Sequence, residues 1–235
     1  MEKHVNILWF RHGLRIHDNP ALIESISEEN VLLLPIFTFD GESAGTKTVG
    51  FNRMKFLLDS LNDLDAYFKA IGGKLHLIEG QPEKVFSTLN NYFKINKITF
   101  EQDCEPIWET RDSKVKGLNI PFVEKVSHTL WDPDEIITTN GGIPPLTYEM
   151  FLHTVQILGL PPRPVDEPKW DGVSFPELPK EFLDEFHVFD EIPTPEHFNL
   201  FPSSFKYLDG AQWKGGEVQA MVNLKKRLEK EEYAF

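Results

Sequence analysis

The stretch "VNILWFRHGLRIHDNPAL", residues 5–22, joins an apolar run, a charged loop and a helix start, and it decides the fold class. The run Val5–Phe10 does not alternate polar with apolar residues, which is typical of a strand covered on both faces in a parallel sheet. Asn19 is a favourable N-cap, and Pro20 suits the first turn of a helix. This order of strand, loop and helix predicts the first half of a βαβ unit.

The next hundred or so residues repeat the same alternation. An apolar stripe from Met54 to Phe68 predicts a long amphipathic helix that ends at Gly72-Gly73, and a second helix is expected to start at Pro82. The four further strand candidates are "VLLLPIF" (31–37), "KLHLIE" (74–79), "KITFEQ" (97–102) and "FVEKV" (122–126). The sequence therefore predicts an α/β fold with a doubly wound, five-stranded parallel sheet.

Charge and cysteine content exclude several classes of protein. The net charge of −13 disfavours sequence-independent binding of nucleic acid, and no apolar run is long enough for a membrane span. The single cysteine, Cys104, excludes an intramolecular disulfide framework and a cysteine-based zinc cluster. Acidic residues surround Cys104, which opposes a nucleophilic thiolate. No histidine spacing predicts a metal site.

Residues 161–202 form a segment that is rich in proline and acidic residues. Ten acidic residues and two lysines lie between Asp166 and Asn199, which gives a local net charge of −8. The many prolines argue against long helices and central strands here. The interspersed apolar residues predict that the segment packs on the domain; they are Trp170, Phe175, Phe182, Phe186 and Phe189.

The last stretch, "WKGGEVQAMVNLKKRLEKEEYAF" (213–235), reads as one helix. Met221, Leu224 and Leu228 form an apolar stripe beside a run of basic residues. The stretch has no C-terminal cap, and the stripe needs a partner surface. We therefore expect the chain to be the front part of a longer protein.

The charged loop after the first strand carries Arg11, His12 and Arg15. Ligands bind at the carboxyl ends of strands in doubly wound sheets, so these side chains are candidates for a binding site. The alternative is that Arg15 simply pairs with a nearby aspartate. The stretch "GESAGTKT" (41–48) does not have the spacing of a phosphate-binding loop, and no dinucleotide fingerprint follows the first strand.

Several long runs resemble the photolyase/cryptochrome family, and within it the insect-type, light-sensitive cryptochromes. They include "NILWFRHGLRIHDNPAL", "EQDCEPIW", "VEKVSHTLWDP", "TNGGIPPLTYEMFLHTVQILGLPPRP" and "W-K-G-G-E". The resemblance implies three regions: an α/β domain over 1–132, an interdomain connector over 133–210, and the start of a truncated helical FAD-binding domain over 211–235. It also implies that Arg227 contacts the flavin, a role that suits a guanidinium. The alternative for Arg227 is a solvated residue paired with Glu231.

The resemblance further implies a blue-light receptor that regulates the circadian clock and turns over no substrate. Its cofactor would be FAD in the full-length protein, with no antenna pigment expected. Its partners would be Timeless, Period and a ubiquitin-ligase adaptor, in cytoplasm and nucleus, with no membrane and no nucleic acid. The first alternative is a DNA photolyase that repairs pyrimidine dimers. Others are a binding module that docks a protein through Phe182 and Phe186, and an inactive truncated product.

Overall fold

The computed structural model describes residues 4–41, 49–202 and 213–229. The strands are β1 (His4–Phe10), β2 (Leu32–Phe39), β3 (His76–Glu79), β4 (Lys94–Glu101), β5 (Phe122–Lys125) and β6 (Val188–Phe189). The helices are α1 (Pro20–Ser25), α2 (Phe51–Ala70), α3 (Pro82–Leu89), α4 (Pro106–Lys116), α5 (Pro133–Thr139), α6 (Tyr148–Leu158), α7 (Lys180–Glu185) and α8 (Glu217–Leu228). A short 3-10 helix spans Pro195–Phe198.

The sheet has the strand order β5-β4-β1-β2-β3-β6. Its first five strands are parallel, which confirms the predicted doubly wound α/β class. In the centre of the sheet, Ile7 lies opposite Leu34 on one side and Ile98 on the other. The count of five strands was short by one, because β6 adds an antiparallel strand beside β3.

β6 belongs to the proline-rich segment and lies at the edge of the sheet. An edge strand needs ladder hydrogen bonds on one side only, so two residues between prolines are sufficient there. Two histidines hold the flanking chain against β3: His187 Nδ1 lies 3.2 Å and His197 Nε2 lies 2.8 Å from the carboxylate of Glu79.

Each predicted strand differs from the observed one by one to three residues at one or both ends, and two of these differences have an identifiable reason. β3 begins at His76 and not at Lys74, because the amide of Leu75 donates to the Asp65 carboxylate of α2 at 3.1 Å. β4 begins at Lys94, three residues before the predicted start, because Lys94 and Ile95 pair with the first residues of β1 before a register shift.

Helices cover both faces of the sheet. One apolar core lies between the sheet and α1 and α2, and it contains the predicted stripe of α2 at Met54, Leu57, Leu61, Leu64 and Phe68. The other lies between the sheet and α3, α4 and α7. β1 is buried from Val5 to Phe10, as the unbroken apolar run predicts for a strand covered on both faces.

The proline-rich segment packs on the domain, which confirms the prediction from its apolar residues. Leu178, Phe182 and Phe189 are buried in the two cores. Ser174 exchanges two backbone hydrogen bonds of 2.8 Å with Val31 and Leu33. Because Phe182 is fully buried, it cannot form part of a docking surface, and the binding-module interpretation loses that residue.

Two predicted helix starts are confirmed: Asn19 caps α1 with Pro20 in the first turn, and Pro82 starts α3. Thr147 caps α6, with its side chain accepting from the amide of Met150. The expectation of one helix from Trp213 was wrong at its start: α8 begins at Glu217, because Gly216 has a φ of +111°, which lies outside the helical region. Residues 42–48 of the "GESAGTKT" stretch and residues 230–235, including Glu231, lie outside the described residues.

Candidate functional site

The candidate site lies at the carboxyl ends of β1 and β4. In the strand order, β2 lies next to β1 on one side and β4 lies next to it on the other, so the strand order reverses at β1. Such a reversal leaves a crevice between the two strands, which is where doubly wound sheets bind ligands. The loop between β1 and α1, residues 11–19, lies at this crevice, as the sequence predicts.

Arg11 is buried in the crevice beside a second buried arginine, Arg111 of α4. Both guanidinium groups contact the carboxylate of Asp112, with Arg11 Nη1 at 2.5 Å and Arg111 Nε at 2.9 Å. They also stack on aromatic rings: Arg11 on Trp9 and Phe100, Arg111 on Trp9 and Trp108, all at 4.8–5.0 Å from the ring centroids. Burial, and then the charge of Arg11, lower the pKa of Arg111. The arginines thus fill the interior of the crevice.

His12 and Cys104 line a pocket of about 390 Å³ at the mouth of the crevice, which we name the crevice pocket. His12 Nε2 lies 3.4 Å from the Asp103 carboxylate and its ring packs edge-on against Trp108. Burial lowers the pKa of His12 to about 4, more than Asp103 raises it, so His12 is neutral near pH 7. His128 also lines the crevice pocket, with its ring centroid 6.3 Å from that of His12 and its Nε2 3.6 Å from Glu101.

Arg15 fixes the shape of the β1–α1 loop. Its guanidinium donates to the backbone carbonyls of His17 and Asp18 and lies 3.2 Å from Glu101 Oε1. The alternative of pairing with a nearby aspartate holds only for the backbone carbonyl of Asp18. The ion-pair partner is Glu101, which is buried at the end of β4 and also accepts from Ser127 Oγ. A glutamate many residues away in sequence cannot be identified from local spacing.

The same loop also holds the start of α8. Both carboxylate oxygens of Glu217 accept backbone amides of the loop, from Ile16 at 2.8 Å and from His17 at 2.9 Å. Sequence reasoning missed this role for Glu217, although the "G-G-E" motif was recognised. Between the loop, α2 and α8 lies a second pocket of about 520 Å³, the α8 groove, which shares His12 and Arg53 with the crevice pocket.

Arg227, the predicted flavin contact, lies on the exposed surface of α8. Its guanidinium is 5.8 Å from the ring centroid of Trp213, at the start of the same segment. Neither the crevice pocket nor the α8 groove is lined by Arg227. The structure therefore does not bring Arg227 together with Arg11, His12 and Arg15.

The described residues contain no group of three or more histidine, cysteine, aspartate or glutamate side chains that could hold a metal ion. Across residues 4–41, 49–202 and 213–229, no helix is both long enough and apolar enough to cross a membrane.

Comparison with known proteins finds relatives along nearly the whole chain. The sequence profile of the DNA photolyase family matches residues 6–169. Cryptochrome-1 of Drosophila melanogaster is 52% identical over 239 residues, and cryptochrome-1 of Aedes aegypti is 52% identical over 241 residues. Each alignment covers 98% of this chain but 44% of the relative, so the chain spans less than half the length of these relatives.

Solved structures agree on the fold. A bacterial class III photolyase from Agrobacterium tumefaciens superposes with a TM-score of 0.73 at 20% identity. The match covers 97% of this chain and 45% of the photolyase. At this identity the superposition supports the α/β fold alone.

Proposed function

The chain belongs to the photolyase/cryptochrome family, and on that premise we propose that it forms the N-terminal part of a cryptochrome, a blue-light-sensing flavoprotein of the circadian clock. The observation that carries the proposal is the 52% identity to insect cryptochrome-1 over nearly the whole chain. As in the sequence interpretation, the protein acts by light-dependent contacts with Timeless, Period and a ubiquitin-ligase adaptor, in cytoplasm and nucleus. A change in flavin charge would shift the population of binding-competent states.

FAD is the cofactor of the longer protein in this proposal, and it supplies the light-absorbing and electron-accepting chemistry when bound. Arg227 fits one contact with it, because an exposed guanidinium offers several donors to a phosphate or a ring carbonyl. Cofactor sites enclose most of their ligand. Neither described pocket reaches Arg227, so we propose that this chain alone does not retain FAD.

We also propose that the crevice holds no antenna pigment. The two buried guanidinium groups lie against Trp9, Phe100 and Trp108, so a planar pigment ring could stack on these aromatic rings only by displacing an arginine. This supports the expectation from sequence with a physical reason, since displacing a paired, buried arginine is costly.

The cofactor proposal is tested by absorbance. Purified residues 1–235 should show no stoichiometric flavin band, whereas a yellow protein with one FAD per chain would overturn it. In a longer form of the protein that does retain FAD, Arg227→Met should lower FAD occupancy. Lys226→Met, the neighbouring exposed residue of α8, should leave the occupancy unchanged.

The photoreceptor proposal is tested against DNA repair in that FAD-retaining form. Blue light should change the recovery of Timeless in co-precipitation and should leave cyclobutane pyrimidine dimers intact. Light-dependent loss of the dimers would instead establish the photolyase alternative. The net charge of −13 over residues 1–235 opposes DNA binding by this part of the protein.

A further inference from the structure

The start of α8 is held to the domain by polar contacts. Besides the two bonds of Glu217, the amide of Gly216 donates to Ser60 Oγ at 3.1 Å and the amide of Val218 donates to Asp63 Oδ2 at 3.0 Å. A carboxylate against the first amides of a helix also complements the helix dipole. These bonds satisfy amides of the first turn of α8 that have no partner within the helix.

Close backbone approach makes this contact specific. A Cβ atom on Gly215 would lie 2.0 Å from the Phe56 carbonyl oxygen of α2, so only glycine fits. Gly216 has φ of +111°, a conformation that other residues rarely adopt. In contrast, no side chain of α8 is buried. The position of α8 therefore depends on its first turn and on Glu217.

The loop that Glu217 holds continues directly into the crevice pocket. Ile16 and His17 follow Arg15, which is fixed to Glu101, and His12 earlier in the loop lies against Asp103. The crevice pocket and the α8 groove share His12 as a lining residue. A displacement of the loop at residues 16–17 thus has a continuous path of contacts to the pocket.

We propose that Glu217 is a positioning residue that couples α8 to the crevice pocket through the β1–α1 loop. When α8 shifts, the amides of Ile16 and His17 lose their carboxylate partner, the loop loosens, and His12 and the turn at Asp103 and Cys104 rearrange. In the longer protein this coupling would carry a change in the flavin-binding part into the α/β domain. Only that last consequence rests on the proposed function.

The experiment uses residues 1–235 with two readouts, neither of which needs flavin. Hydrogen exchange reports on the amides of Ile16 and His17, and the rate of modification by a disulfide reagent reports on Cys104, which is the single cysteine and lines the crevice pocket. Glu217→Gln keeps the size of the side chain but replaces one of its two acceptor oxygens with an NH₂ group. One of the amides of Ile16 and His17 then faces a donor and loses its hydrogen bond. Glu229→Gln, which removes the same charge at the C-terminal end of α8, is the matched control.

We expect Glu217→Gln to accelerate exchange at Ile16 and His17 by about tenfold, as loss of a charge-assisted hydrogen bond implies. Modification of Cys104 should become at least about twofold faster: the thiol is already exposed, so its rate responds to local charge, and rearrangement of the turn moves the Asp103 carboxylate relative to it. Exchange of the amides in the centre of β1 should stay unchanged, because these amides exchange only when the whole domain unfolds. A faster rate there would indicate general destabilisation in place of coupling. Gly215→Ala, which displaces α8 without touching the loop, should reproduce both effects.

Faster exchange at residues 16–17 with unchanged Cys104 reactivity in both variants would overturn the coupling, because the Glu217 contact would then be local. Unchanged exchange would overturn the contact itself. Either result would leave the flavin proposal standing, and the absence of flavin binding in longer forms would leave the coupling standing.

Discussion

At the scale of single residues, the crevice holds two buried guanidinium groups against one buried carboxylate. Removing the charge of Asp112 would leave both buried arginines without the carboxylate that contacts them. Breaking a buried ion pair from one side costs about 3 to 5 kcal/mol. We therefore expect Asp112→Asn to lower the free energy of unfolding by this amount in urea titrations.

Glu109→Gln is the control for that substitution, since it changes the same charge on an exposed position of α4. It should change the free energy of unfolding by about 0.5 kcal/mol or less. A loss below about 1 kcal/mol for Asp112→Asn would contradict the assignment of Asp112 as the counter-ion of both arginines.

His76 predicts a pH dependence of stability. Burial, with a smaller effect of Lys74, lowers its pKa from 6.5 to about 4. Between pH 4 and 6.5 the unfolded chain therefore binds more protons at this residue than the folded chain does, and stability falls as pH falls. His12 contributes with the same sign, because its pKa is also lowered to about 4.

The test is urea unfolding between pH 4.5 and 7. Each of these two histidines should add a slope of up to about 1.4 kcal/mol per pH unit, and His76→Leu should remove its share. His153→Leu, at an exposed position of α6, serves as the control. An unchanged slope in His76→Leu would show that His76 binds protons equally in the folded and unfolded chains, so that its pKa is not lowered by folding.

The buried arginine pair shows what the sequence could and could not reveal. Trp108, Arg111, Asp112 and Val115 have the spacing of one helix face, and all four are buried in α4. An arginine and an aspartate between two apolar residues on one helix face indicate a buried ion pair, and this pattern is visible in the sequence. Its partner Arg11 lies 101 positions away in the sequence, so the pairing itself depends on the tertiary fold.

At the scale of elements, α7 contributes a side chain to the core from within the acidic segment. Phe182 is fully buried and stacks on Phe186, whereas its neighbour Leu183 is half exposed. Phe182→Ala should cost about 3 to 5 kcal/mol in urea unfolding, because it leaves a cavity. Leu183→Ala should cost about 1 kcal/mol or less. Equal effects of the two substitutions would contradict the packing of α7.

Elements with a long periodic pattern were predictable, and elements formed by docking were not. β1 is buried on both faces and α2 on one face, and each type of burial requires a regular pattern of apolar residues in the sequence. β6 has two residues, too few for any pattern, and forms only because its segment reaches the free edge of β3. The loop contacts of Glu217 were likewise invisible, because they join residues 16, 17 and 217.

At the scale of the whole molecule, the folding unit extends beyond the family match. The DNA photolyase profile ends at residue 169, yet Leu178, Phe182 and Phe189 are buried in the two cores after that point. The predicted α/β domain over 1–132 is therefore expected to need this later segment to cover its sheet. The described part of α8 buries no side chain.

Two nested deletions, of 33 and of 66 residues, test this dependence. Removing residues 203–235 should leave a cooperative urea transition with nearly the same midpoint. Removing residues 170–235 also removes three core side chains and exposes the apolar surface that they cover, a loss of about 5 to 9 kcal/mol that approaches the total stability of a typical domain. That shorter fragment should lose its near-ultraviolet circular dichroism and its cooperative transition. If it unfolds at the same midpoint as residues 1–202, the acidic segment lies on a core that is complete without it.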